Sequence, residues 1–327
     1  MPRFSVCLVT ERNQPDASPA TTRRWVVRVV VVAAFVATVV LQGPRALEIL
    51  GRRVDQAALG SPRVALDEVG FASQPAWLDR PLLLAVSLGM SPWLGSSVPI
   101  LDDDGLRRLR EGLLSVPWVA GVGFERVFPD KLKLSLALRR PVLAVRDGEG
   151  KPLCLVDRDA RMLPFVDTRL PVVHLYREGG RPTMAVALGA VCEEPRVRAA
   201  VGIALEWRDE FAPLVKDCPE LVEVDTTNLG ERWLPPIHPE VRVKVARGDG
   251  QSVLFGYDRP VDSPRMRVPT ATKAQVLTQV LQRHPKLAGL VAGDLRMSRR
   301  WADYLQPRTA GQRDPFGPWN GEPPPPK

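Results

Sequence analysis

The sequence predicts an α+β protein: a single N-terminal transmembrane helix, a β-α-α-β-β module, then a mixed, β-rich domain with flanking helices. Three observations carry that expectation. Leu132, Leu134, Leu136 and Leu138 alternate with Lys133, Ser135, Ala137 and Arg139, the period-two pattern of a strand with one buried and one wet face. Leu106, Leu109, Leu113 and Leu114 recur at i, i+3, i+7 and i+8, the stripe of a helix lying on a core. Residues 25–41 hold nine valines in an apolar run broken after Val29 only by Thr38.

That run is the predicted anchor, assigned to residues 25–45 behind a cytoplasmic tail of residues 1–24. At about 1.5 Å per residue it covers roughly 25 Å, slightly less than a hydrocarbon core of about 30 Å. Its valines, Phe35 and Leu41 contribute roughly −3 to −6 kcal/mol to insertion, against a cost of about 2.5–3.5 kcal/mol for a centred arginine. Arg28 stands near the end, where its side chain can snorkel at lower cost. A cleaved signal peptide is the competing reading, because the unbroken run suits an h-region. Gln42-Gly43-Pro44-Arg45 follows in place of an A-x-A site, which favours a retained anchor. Residues 46–62 read as a juxtamembrane connector.

The module spans residues 63–140. Residues 63–71 are extended in composition. Asp79 caps a helix whose Pro81 is tolerated in the first turn and whose Leu82, Leu83, Leu84, Val86 and Leu88 supply apolar surface. Asp102, Asp103 and Asp104 favour the start of the second helix through the macrodipole. The same three acids could be read as a metal cluster, but capping needs acids there and no further ligand is at hand. Val116-Pro117 ends that helix, since proline disfavours its continuation. Val122, Phe124 and Phe128 share one strand face, and Phe128-Pro129-Asp130-Lys131 has the composition of a tight connection to the leucine strand.

A second domain follows over residues 141–305. Residues 142–145 and 153–156 form a hairpin across Asp147-Gly148-Glu149-Gly150, closed by Asp157-Arg158-Asp159-Ala160. A helix over residues 195–214 turns Val197, Val201, Leu205 and Phe211 inward. Val241, Val243 and Val245 alternate with Arg242, Lys244 and Ala246 and pair across Gly248-Asp249-Gly250 with residues 252–255. Another helix, capped by Thr270 or Thr272, carries Val276, Leu277, Val280 and Leu281 and stops at His284-Pro285. The last strand covers residues 290–296. Residues 306–327 are a Pro-rich tail of disordered composition.

Taken in order, these residues resemble the FtsQ/DivIB family of bacterial cell division proteins, with its polypeptide-transport-associated (POTRA) domain. The resemblance runs over residues 24–301. It rests on Pro117-Trp118-Val119, the Phe128-Pro129-Asp130 corner, the leucine strand and Arg140-Pro141 in the first module. In the second it rests on Leu155-Val156-Asp157, Leu170-Pro171 and Asp294-Leu295-Arg296. It departs at Met297, where the family commonly has an aromatic. It implies a bitopic inner-membrane scaffold for septal proteins, with a cytoplasmic N-terminus, exported C-terminal domains and a place at the septum. It also implies that the final strand offers an open edge to a strand from a partner of the FtsB/DivIC type, with FtsL-type proteins as further partners. Leu290, Asp294, Leu295, Arg296, Met297, Ser298 and Trp301 are the partner-binding residues so implied, with contact centred on residues 295–301. A purely local Asp294–Arg296 ion pair is the other account of those two residues.

Composition narrows the alternatives. The chain has 327 residues, 45% hydrophobic and 25% charged, enough for about two domains plus extras. Its net charge of +8 is spread among acids without an aromatic-interleaved basic run, so no nucleic-acid partner is expected. Cys7, Cys154, Cys192 and Cys218 lack metal-ligand spacing, and only three histidines accompany them. A Cys192–Cys218 bridge and unpaired buried thiols are both compatible with export. No nucleophile elbow, phosphate-binding glycine loop or zinc-protease motif occurs, so no enzyme activity, cofactor, metal or small-molecule substrate is expected. The other classes are a POTRA-containing transport component, which would need barrel strands, and a secreted envelope enzyme, which would need a cleaved anchor.

Overall fold

The computed structural model describes residues 48–49, 51–53, 56, 60, 63–65, 75–93, 97–127, 131–175, 184–231 and 238–307. They belong to two units, Met1–Arg63 with Pro99–Asp102, and Val64–Val98 with Asp103–Lys327. In the first, Arg52 and Glu48 pair one helical turn apart at 2.6 Å, and the Asp102 N–H donates to the Pro99 carbonyl across a turn. Strands β1 (Arg63–Ala65) and β2 (Ser97–Pro99) form a two-stranded sheet.

The second unit opens with α1 (Arg80–Met90). Asp79 caps it as expected, its Oδ1 accepting from the Leu82 N–H at 3.0 Å, with Pro81 in the first turn. Leu82, Val86 and Met90 are buried, whereas Leu84 and Leu88 point outward, 60% and 64% exposed. Helix α2 (Asp103–Ser115) begins on Asp103 and Asp104 and buries Leu106, Leu109 and Leu113; Leu114, expected on that face, is exposed. The helix can lie close to Trp93 because residue 112 is glycine. Strands β3 (Val119–Val127) and β4 (Lys131–Leu138) form the expected hairpin, with Val122 opposite Leu136 and Phe124 opposite Leu134.

The strands of the expected β-α-α-β-β module do not join into one sheet among the described residues. Among those residues, strand β1 pairs with β2, and β3 with β4. Residues 66–71 of the predicted first strand lie outside the described residues. So does the predicted transmembrane helix, residues 25–45. No helix among the described residues is long and apolar enough to cross a membrane.

Among the described residues the remaining strands build one nine-stranded mixed sheet, ordered β13-β12-β11-β10-β9-β8-β5-β6-β7. They are β5 (Pro141–Asp147), β6 (Pro152–Asp157), β7 (Met162–Leu163), β8 (Val172–Leu175), β9 (Leu221–Asp225), β10 (Val241–Ala246), β11 (Ser252–Asp258), β12 (Leu290–Asp294) and β13 (Gln306–Pro307). Pairings β5–β6 and β10–β11 match the two predicted hairpins, with Val145 opposite Cys154 and Val243 opposite Phe255. Strand β5 is apolar on both faces because both faces are covered. Leu143 and Val145 join Val197, Val201, Phe211, Val276, Leu277 and Val280 in one core under α3 (Pro195–Glu206) and α4 (Thr270–Arg283). Ala144, with Leu155 and Leu163, instead joins Leu82, Leu113, Trp118 and Val122 in a second core. The helices and hairpin of residues 78–138 therefore share their core with the sheet. Polar ties cross the same junction: Arg139 reaches Asp157 at 3.1 Å, and the Thr168 hydroxyl donates to Asp79 at 2.9 Å.

Helix boundaries differ in detail. The expected helix of residues 195–214 is α-helical only to Glu206, continuing as a π turn (Trp207–Phe211) and a 3₁₀ turn (Ala212–Leu214). Neither Thr270 nor Thr272 caps α4. Pro269 occupies that position, and the Thr270 hydroxyl donates to Glu206 instead.

Candidate interaction edge

Strand β12 is where the chain's last long strand meets the end of the sheet. It runs parallel to β11, with Leu254, Phe255 and Gly256 opposite Ala292, Gly293 and Asp294. The loop that delivers it is strained. Lys286 and Leu287 both hold left-handed backbone angles, φ 56° and 60°, a conformation that costs a non-glycine residue of order 1–3 kcal/mol. Burial of the Leu287 side chain and the Gly248 N–H donating to the Lys286 carbonyl hold that shape. Arg247 then secures the start of the strand, its Nη1 donating to the Leu290 carbonyl at 2.5 Å.

The strand ends on a clasp. Asp294 Oδ1 accepts from the Arg296 N–H at 3.0 Å, while Nε and Nη2 of the same arginine reach Oδ1 at 3.0 Å and Oδ2 at 2.7 Å. Leu295, between them, is fully buried, and its N–H donates to the Gly256 carbonyl. Gly256 makes room for the Asp294 carboxylate, since a Cβ there would stand 2.9 Å from Cγ. The local ion pair expected between Asp294 and Arg296 is formed.

The last long strand ends at Asp294, two residues short of the expected residue 296. Residues 295–301 are not an open strand: Leu295 and Arg296 form a turn, residues 298–300 another, and Trp301–Tyr304 a 3₁₀ turn. The edge is also covered by the chain itself, because β13 pairs antiparallel with β12, Pro307 opposite Leu290 and Gln306 opposite Ala292. The predicted tail consequently starts two residues too early. Of the seven residues singled out, Leu290, Asp294 and Leu295 are buried, Arg296, Met297 and Trp301 are half-buried, and Ser298 is exposed. Trp301 lies under the Arg283 guanidinium, 5.9 Å from the ring centroid, and packs on the main core together with Leu305.

A second polar cluster was not anticipated from the sequence. Lys273 is fully buried, its Nζ 3.0 Å from Glu206, 3.6 Å from Asp258 and 3.8 Å above the Tyr257 ring. Glu206 also accepts from the Tyr257 hydroxyl at 2.9 Å, the Thr270 hydroxyl at 2.8 Å and Arg267 at 2.5 Å. Burial pushes the Glu206 pKa up, but the Lys273 ammonium and these donors outweigh it, holding the carboxyl below the usual range. Burial depresses Lys273 more than the two carboxylates restore it. The Tyr257 hydroxyl is pushed up by burial and by the Glu206 charge. Every partner named is internal, so this is a structural pin joining α3, β11 and α4. The signal was a lysine on an apolar stripe: Lys273, Val276, Leu277 and Val280 recur at i, i+3, i+4 and i+7.

Cys154, Cys192 and Cys218 are free thiols, so the Cys192–Cys218 bridge does not form. No group of three or more side chains able to hold a metal occurs among the described residues. No family model matches the chain, and no curated protein matches it.

Proposed function

We propose that this protein is a bitopic inner-membrane scaffold of bacterial cell division that links septal proteins through its exported part. In this reading residues 25–45 hold it in the membrane with the N-terminus in the cytoplasm. The C-terminal unit then meets partners of the FtsB/DivIC and FtsL type outside it. The observation that supports the reading is the lightly covered end of the large sheet: among the described residues, the five-residue strand β12 is flanked on that side by the two residues of β13. A sheet edge is a template for another chain, and strand addition is a common way for such an edge to bind. Tethering partners to one membrane raises their effective concentration, so individually modest contacts suffice to assemble a complex. Neither polar cluster argues for chemistry, since the Asp294–Arg296 clasp and the Glu206–Lys273 pin spend their hydrogen bonds internally.

Depletion tests the reading. Depleted cells are expected to elongate without septating, and a fluorescent fusion to gather at the division plane. Normal division together with a diffuse envelope signal would overturn it.

A further inference from the structure

The two ends of the nine-stranded sheet are closed very differently. At the β7 end, the Met162 N–H donates to the Ala190 carbonyl at 2.9 Å and the Met162 carbonyl accepts from Gly189 at 2.7 Å. Cys192 donates to the Ala160 carbonyl at 2.8 Å, and the Arg161 guanidinium reaches the Gly189 carbonyl at 2.7 Å. At the β12 end the cover, among the described residues, is two residue pairs with a register irregularity between them, and one of the two residues is Pro307, which has no N–H to donate.

What holds β13 in place is side-chain anchoring upstream. Leu305 packs where Gly293 leaves space, since a Cβ on Gly293 would stand 3.1 Å from Leu305 Cδ2. Trp301, four residues earlier, sits beneath Arg283. The segment thus has two apolar anchors and a minimal backbone ladder, joined to β12 by a short connection. Such a connection gives an effective concentration on the order of millimolar, enough to seat a weak strand that an external one can replace.

We propose that residues 305–307 are an intramolecular plug: they occupy the β12 edge in the free protein and are displaced by an extended strand of a partner that seats an apolar side chain at the Leu305 position. The identity of the displacing strand rests on the proposed scaffold role, whereas the plug itself rests on the geometry of β12 and β13.

The test uses the full chain in detergent and a labelled synthetic peptide of residues 300–309 as the probe. The double variant Leu305→Asn, Gln306→Pro loses one anchor and one N–H, and is expected to bind the peptide roughly tenfold or more tightly than the parent does, because the internal competitor is gone. Equal affinity for parent and variant, or no binding to a variant whose melting curve shows it folded, would overturn the proposal. Hydrogen exchange on the unmodified protein provides a measurement that variant misfolding cannot spoil. Amides of residues 305 and 306 should exchange far faster than those of β10 and β11, through local opening. Exchange of all three segments in step would overturn it. A normal septum on depletion would sink the scaffold role and leave this competition intact; a failed competition would do the reverse.

Discussion

Replacing Lys273 by methionine should cost about 3 kcal/mol of stability. The ammonium is fully buried between Glu206 at 3.0 Å and Asp258 at 3.6 Å, so its removal leaves two buried carboxylates without the cation between them. Breaking a buried pair from one side costs roughly 3–5 kcal/mol. The lower end applies because Arg267, Tyr257 and Thr270 still donate to Glu206. Urea denaturation followed by tryptophan fluorescence is a suitable assay, since Trp207 stacks on Phe211 at 4.3 Å beside Tyr257. The melting temperature should fall by roughly 6–12 °C. Adding Glu206→Gln should recover part of the loss, because the two sites couple. The pH dependence follows from the directions of shift. Glu206 is held below its ordinary value of 4.5, so the unfolded chain binds more protons below that pH. Its contribution is complete above about that point and is lost as pH falls through the folded value. Lys273 is depressed below 10.5, so on the alkaline side the unfolded state again binds more protons. Stability therefore rises with pH from the folded value toward 10.5, a rise that Lys273→Met should abolish. A loss under about 1 kcal/mol, with an unchanged acid limb in Glu206→Gln, would refute the assignment of this cluster as a buried pin.

Two further outcomes are open to simple measurement. Gly112→Ala gains about 1 kcal/mol of helix propensity, yet its Cβ would stand 2.4 Å from the Trp93 ring. Overpacking costs typically 1–3 kcal/mol, so the variant should be no more stable than the parent and up to about 2 kcal/mol less so; a clear gain on chemical denaturation would contradict the close packing of α2 on Trp93. In a Cys7→Ser background, the remaining thiols should resist a disulfide reagent at pH 8 until the protein unfolds. Burial, with a smaller effect of Cys192, pushes Cys154 up to about 12, burial pushes Cys218 up to about 11, and Cys192 is raised mainly by burial. Stoichiometric labelling of the native chain within minutes, or a Cys192–Cys218 cross-link by mass spectrometry, would be inconsistent with these environments.

Elements with strong internal periodicity were legible in the sequence. The alternating leucines of β4, the i, i+3, i+7 stripe of α2, the Asp79 cap and the glycine turn between β10 and β11 are dictated by neighbours within a few residues, and all four formed, although the β4 leucines are half-buried where a buried face is expected. Leu114 failed because a helical stripe has two margins, and only the partner surface decides which is covered. Around the candidate edge, Asp294 and Arg296 were readable as a local pair. The burial of Leu295 and the return of Gln306 to β12 were not, because both depend on residues brought from elsewhere.

The alternation and stripes of this chain thus determined which segments are strands and helices and which faces of them are apolar. Tertiary structure decided what those faces meet. Leu143 and Ala144 are adjacent in sequence and both apolar, yet they enter different cores, because a strand sends successive side chains to opposite faces and here both faces are covered. Tertiary structure also made an inward-pointing lysine tolerable by bringing Glu206 within hydrogen-bonding distance from 67 residues away, and it closed the sheet's end with a two-residue strand that carries no periodicity of its own. Short-range patterns encode what a segment can bury; the closing of long-range contacts selects its partner.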